Sequence, residues 1–141
     1  MKITVDTNIL ISGLFWEGNE RKLIELAEEG EIELVLSEAI IEEFEEVLSR
    51  NEFKLKLNEI ESNVGSVIDK ILSIATITEP QEKINAVEDD KDDNIVLECA
   101  LSGEVRYIVS GDRHLFELYE FRGIPILRAR KMMEMINSNF R

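Results

Sequence analysis

A chain of 141 residues, 44% of them apolar, has the length of one ordinary domain and enough apolar side chains for a packed interior, which excludes a disordered chain. Its formal charge of −14, from 30 acidic and 16 basic residues, speaks against a broad nucleic-acid-binding surface, though not against an acidic site that holds divalent cations. No apolar run approaches the roughly 20 residues of a membrane helix; the start lacks a signal-peptide pattern; and a single cysteine, Cys99, leaves neither an internal disulfide nor a thiolate zinc cluster, so a cytoplasmic protein is expected.

Residues 2–6 predict a first strand, with Ile3 and Val5 β-prone and Asp6 at its carboxyl end. Asp6, Thr7 and Asn8 are strand-breaking, helix-capping types, and a helix is expected from Asn8 to about Phe15 and Trp16. Gly18-Asn19 breaks it, Asn19 is a candidate cap for a second helix with Leu23, Ile24, Leu26 and Ala27 inward, and Gly30 ends that helix. A second strand is expected over 32–36, followed by a helix over 38–49 capped by Ser37.

Residues 53–74 read as helical, with Leu55, Leu57, Ile60, Val64, Val67, Ile68, Ile71 and Leu72 at helical spacing and a bend or split within Asn63 to Ser66. Residues 75–78 are a weak third strand. An acidic loop, 88–93, leads into a helix ending near Leu101 and stopped by Gly103. Tyr107-Ile108-Val109 is a fourth strand, a short helix carries Leu115, Phe116 and Leu118, and 124–127 is a fifth strand whose Pro125 suits an edge. Residues 128–138 form a last helix. Strands alternating with helices predict an α/β fold: one domain over 1–141, a three-layer α/β/α sandwich around a parallel sheet of about five strands.

Function is sought among the acids. In open α/β sheets, sites form at the carboxyl ends of strands. Asp6 closes one apolar strand and Asp112 another, and at the same end of parallel strands the two would lie close. The plainer reading makes both simple N-caps, and position alone does not separate the two. In the helix after Ser37, Ile40, Ile41, Phe44, Val47 and Leu48 form the apolar face; Glu42 and Glu46 fall opposite it, and Glu43 and Glu45 lie at its two edges. In the helix after the acidic loop, Asp93 projects into the stripe of Val96, Leu97 and Ala100, and Asp92 sits near it, whereas Asp89 and Asp90 read as loop surface. An acid on a core-facing stripe is costly unless it meets a cation or donors, although Asp also favours a first helical turn. Two like charges ~4 Å apart repel by roughly 4 kcal/mol at an effective dielectric of 20. A cluster of them is therefore stable only around a hard cation, and that is the chemistry of metal-assisted phosphodiester cleavage.

Val5-Asp6-Thr7-Asn8, Glu43-Phe44 on a helix, Asp92-Asp93-Asn94-Ile95 opening a helix and Ile108-Val109-Ser110-Gly111-Asp112 resemble, in order and spacing, the PIN domain family, and within it the VapC-like toxin components of toxin–antitoxin systems. The resemblance covers nearly the whole chain. It implies a metal-dependent endoribonuclease acting on RNA, with Asp6, Glu43, Asp93 and Asp112 as catalytic and metal-binding acids around Mg²⁺ or Mn²⁺. It chooses Glu43 over Glu45 and Asp93 over Asp92. It also implies supporting roles for Thr7, Asn8 and Ser110, the last standing where the family often has Thr. An antitoxin partner and a homodimer follow from the same resemblance.

Arg113 and His114 are candidates to touch phosphate near the mouth. Arg128 and Arg130, in a locally basic C-terminal segment with Arg122, Lys131 and Arg141, are candidates to hold RNA. Phe15, Trp16, Met132, Met133 and Met135 are read as either core or partner contacts. A non-catalytic PIN-fold module that only binds RNA or protein is the main alternative. A phosphoacceptor domain is disfavoured because Val5, not an acid, precedes Asp6. A Ser/His/Asp hydrolase is disfavoured because no nucleophile elbow is present.

Overall fold

The computed structural model describes residues 1–87 and 91–139. The expectations for Asp89, Asp90 and Arg141 lie outside those residues. The chain opens with β1 (Lys2–Val5), α1 (Thr7–Phe15), α2 (Asn19–Glu28), β2 (Glu33–Ser37) and α3 (Glu38–Leu48). A 3₁₀ turn at Asn51–Phe53 leads to α4 (Lys54–Glu59), α5 (Val64–Ile74) and β3 (Ala75–Thr78). The second half runs through α6 (Lys91–Ser102), β4 (Tyr107–Val109), α7 (Arg113–Phe116), β5 (Glu120–Phe121), β6 (Ile124–Leu127) and α8 (Ala129–Asn139).

The strands form one sheet in the order β3-β2-β1-β4-β6-β5, parallel except for β5. Thr4, Val5, Leu34 through Ser37, and all of β4 are buried, so the central strands are covered on both faces by helices. Successive β-branched and leucine side chains on both sides of these strands are what a doubly covered parallel sheet requires. The fold is thus α/β, with a mostly parallel central sheet flanked by helices.

Three local expectations need correction: the number of strands, the edge position of Pro125 and the capping role of Asn19. The sheet has six strands, not about five, because Arg122 and Gly123 both adopt positive φ (49° and 85°) and turn Glu120–Phe121 back against Ile124–Pro125. Paired positive-φ residues match the twist of a tight hairpin. Pro125 therefore lies one strand in from the edge, at a position ahead of the β4–β6 pairing of Ile126 and Leu127, where a missing N–H breaks no ladder bond.

The 53–74 segment is split into α4 and α5, close to the bend or split expected within Asn63 to Ser66. Glu61 takes a left-handed φ of 52°, and Asn63 restarts the chain as α5 by accepting the Ser66 amide at 2.9 Å. The break swings Leu55 and Ile60 outward, 74% and 40% exposed, and Leu72 also lies outward, while Leu57, Val67, Ile68 and Ile71 join the core. Asn19 is the first residue of α2 rather than its cap; Gly18 precedes it and supplies no side-chain bond. Met132 and Met133 are core, with Met135 packed against it, which settles their reading as interior residues.

Cys99 is also interior, between the Thr4 hydroxyl and the Val35 carbonyl, and burial pushes its thiol up to about 11. Asn94 pins the loop before α6 by accepting the Val87 amide and donating to its carbonyl, at 2.9 and 2.8 Å. No helix among the described residues is long and apolar enough to cross a membrane.

Candidate active site

The parallel register of β1 and β4 places Val5 opposite Val109, and the Asp6 amide extends that ladder by donating to the Val109 carbonyl. Asp6 and Ser110 therefore emerge side by side from the carboxyl edge of the sheet. The Ser110 hydroxyl donates to Asp6 Oδ2 and accepts the Asp112 amide at 2.9 Å, so one buried oxygen ties both strand ends together. Asp6 Oδ1 accepts the Ile9 amide at 3.0 Å and caps α1; Asp112 Oδ1 accepts the His114 and Leu115 amides and caps α7. Both aspartates are thus N-caps, and both also face one cleft: capping uses one carboxylate oxygen and leaves the residue available to a site.

That cleft, of about 240 Å³, is lined by Asp6, Thr7, Asn8, Glu43, Val47, Arg50, Asp92, Asp93 and Asp112. Glu43 reaches it from α3, which Ser37 starts by accepting the Ile40 amide; Glu43 is half-buried, whereas Glu45 is fully on the solvent side. Asp93 reaches it from the first turn of α6 and is only 5% exposed, while Asp92 lines the same cleft from a solvent-facing position. The four acids expected to converge are in one place.

The environment of Asp6 is unfavourable for a bare charge. Burial pushes its carboxyl above the ordinary 3.8; bonds from Ser110 and Ile9 pull the other way, and the nearby Asp112 charge raises it further. Thr7 Oγ1, in the same lining, is buried with no hydrogen-bond partner among the described residues. Carboxylates from two strand ends and two helices, with a buried unsatisfied hydroxyl, make an all-oxygen donor set of the kind hard divalent cations take. The residues present fit such an ion. Asp6, Glu43, Asp93 and Asp112 would hold it.

Two contributors were not foreseen in these roles. His114, expected only near phosphate, has a ring nitrogen that lies with carboxylate oxygens of Asp93 and Asp112 within 4.8 Å of one another. Arg50 lines the cleft beside the acids while pairing with Glu46 at 3.0 Å. The signal for Arg50 was present: it follows Glu43 by seven residues, two helical turns, just past the end of α3.

The remaining basic candidates divide. Arg128 donates to the Gly111 carbonyl at 3.0 Å and lies 4.5 Å over the Phe116 ring, which fixes it beside the Asp112 loop. Arg113 pairs with Glu117 at 3.2 Å and Arg130 with Glu134 at 3.5 Å, both on open surface.

Comparison with known proteins agrees with this geometry. A family model described as PIN domain matches residues 2–114, which include all four acids and Ser110. No curated protein matches the chain. PIN domains are nucleases as a class, and the match runs over most of the chain's length, from β1 to the start of α7. The chain belongs to the PIN domain family.

Proposed function

We propose that this PIN domain is a Mg²⁺- or Mn²⁺-dependent endoribonuclease that hydrolyses RNA phosphodiester bonds. The observation that carries the reading is the convergence of Asp6, Glu43, Asp93 and Asp112 in one cleft at the carboxyl edge of the sheet. Asp6, Glu43, Asp93 and Asp112 would hold a divalent ion there, which would supply acidification of a water molecule and compensation of phosphodiester charge. The chain's own residues do the rest. Asp6, locked by Ser110 and Ile9, presents its carboxylate in one fixed orientation. Asp93 and Glu43 complete the acid set from two different helices, so its geometry depends on the packing of α3 against α6. Thr7 and Asn8 edge the same cleft and support it.

Arg128, bonded to the Gly111 carbonyl, and His114, whose ring lies by Asp93 and Asp112, are in position to meet a phosphate; Arg113 and Arg130 are held by Glu117 and Glu134. In the reaction, a water oxygen bonds to phosphorus and gives up one proton, one P–O bond to ribose breaks, and the departing oxygen takes up a proton, so one water is consumed per bond cut. The motif likeness to VapC-like proteins supports a cytoplasmic toxin, a homodimer, and a partner antitoxin that holds it in check.

The test is incubation of the wild-type protein with end-labelled single-stranded RNA and DNA pools in Mg²⁺, Mn²⁺ or EDTA. Internal cutting of RNA that needs the metal and spares DNA is expected. Cutting that continues in EDTA would contradict the reading.

A further inference from the structure

The four acids do not lie alone on their surface. Asp6 and Glu43 share the cleft at the starting side of α1 and the middle of α3, and Phe15 and Phe53 stack at 5.5 Å beyond the far ends of the same two helices. The two helices therefore run side by side in the same direction away from the cleft. Asn8, Glu43, Val47 and Arg50 share the cleft lining, and Ser12 and Trp16 follow Asn8 at one-turn spacing along α1 toward the Phe15–Phe53 stack.

At the far end stands Trp16, with half of its surface (49%) open to solvent. Phe15 meets its indole edge-on at 5.9 Å, and Lys56 Nζ lies 4.6 Å from its ring centre. The distance from Asp6 to Trp16 along α1 is roughly 15 Å. Residues 50–56 carry three cations, Arg50, Lys54 and Lys56, against one acid, Glu52, a local excess of two positive charges in a chain of net −14.

We propose that this strip is the path of single-stranded RNA leaving the cleft, with Trp16 as a platform on which one base stacks and Lys56 and Arg50 as contacts to the flanking phosphates. The inference rests on the nuclease reading for the identity of the cleft. An exposed indole held in place by a phenyl edge and accompanied by cations is the combination that captures unpaired bases without sequence readout. A protein partner would cover the exposed Leu55 and Ile60 of the neighbouring segment, whereas the positions between the cleft and Trp16 include the polar Asn8, Ser12 and Arg50, which suit a polyanion. Trp16 positions substrate; it does not touch the reacting atoms.

Trp16 is the only tryptophan in the chain, so its own fluorescence reports the contact. The Asp93→Asn protein, in which the strip is untouched, is titrated in Mg²⁺ with a fluorescein-labelled mixed-sequence RNA 10-mer. Indole emission and label anisotropy are both read. Expected are saturable quenching, an affinity loss of about tenfold on adding Trp16→Ala, and retention within about threefold with Trp16→Phe. Lys56→Glu should weaken binding and flatten its salt dependence.

Unchanged emission with equal affinity in the Trp16→Ala form would overturn the platform. So would a blue shift that grows with protein concentration and ignores RNA, since Trp16 would then serve self-association. Wild-type cleavage in Mn²⁺ is scored separately. Cleavage without quenching rejects the platform alone, and quenching without cleavage rejects the nuclease reading alone.

Discussion

Ser110 donates its hydroxyl proton to Asp6 Oδ2, across the junction of β1 and β4, while the other Asp6 oxygen is engaged by the Ile9 amide. The carboxylate is held at both oxygens before any ligand arrives. Because Ser110 also accepts the Asp112 amide, the same hydroxyl sets the spacing of two of the four acids.

Ser110→Ala removes that tie without changing any charge. Outer partners of metal-holding carboxylates typically matter by ~10–100-fold in metal affinity or activity. Mn²⁺ affinity by calorimetry and RNA cleavage should both fall within that range in Ser110→Ala, and Ser110→Thr, which keeps the hydroxyl, should lose far less. Equal metal affinity in wild type and Ser110→Ala would show that Asp6 is oriented by other means.

Asp6 should cost stability when no cation is present. Its folded pKa is raised above 3.8, chiefly by burial, so between the unfolded and folded values the native state holds a proton that the unfolded state has lost. Stability therefore declines as pH rises through that window, and the cost is fully present above the folded pKa. Asp6→Asn, which keeps a capping oxygen for Ile9, should melt at a higher temperature than wild type at pH 7 in EDTA. The gap should close near pH 3.5. Saturating Mn²⁺ should reverse the order, because an ion at about 100 times its Kd adds roughly 2.7 kcal/mol to wild type alone. Melting curves at three pH values, with and without metal, check each sign.

Gly103 marks how closely α6 must approach the sheet for Asp93 to reach the cleft. A Cβ there would lie 2.6 Å from Val35 Cγ1 on β2 and 3.1 Å from the Cys99 carbonyl oxygen. Gly103→Ala should cost about 1–3 kcal/mol through this overpacking, a drop of several degrees in melting temperature. A melting temperature unchanged within about a degree would mean that α6 can shift freely on the sheet.

Much of this arrangement was legible in the residues because the site sits on regular elements. Apolar strands ending in Asp6 and Asp112, and a helix that puts Glu43 at the edge of its apolar face, follow from periods of 2.0 and 3.6 residues. Asp93 was visible as an acid on the stripe of Val96, Leu97 and Ala100. The choice of Glu43 over Glu45 and Asp93 over Asp92 came from the family likeness, and the structure adds that Glu45 and Asp92 are solvent-facing.

Elements that depend on backbone conformation were not legible in that way. The left-handed φ at Arg122 helps create β5, and that at Glu61 sets the division of 53–74 just before the bend or split expected within Asn63 to Ser66; neither residue type announces such a conformation. The burial of Thr7 Oγ1 and the place of His114 beside Asp93 depend on how distant segments meet, which helical or strand periodicity does not encode.

The central claim is that these four acids act together in metal-dependent RNA hydrolysis, and the rate of Mn²⁺-dependent cleavage by Asp93→Asn against wild type tests it most directly. With circular dichroism and melting behaviour confirming a folded variant, the rate should fall by at least about 100-fold, the scale expected when a preorganised charge-stabilising group is lost. A rate within a few-fold of wild type would contradict the account and place the chemistry elsewhere on the molecule.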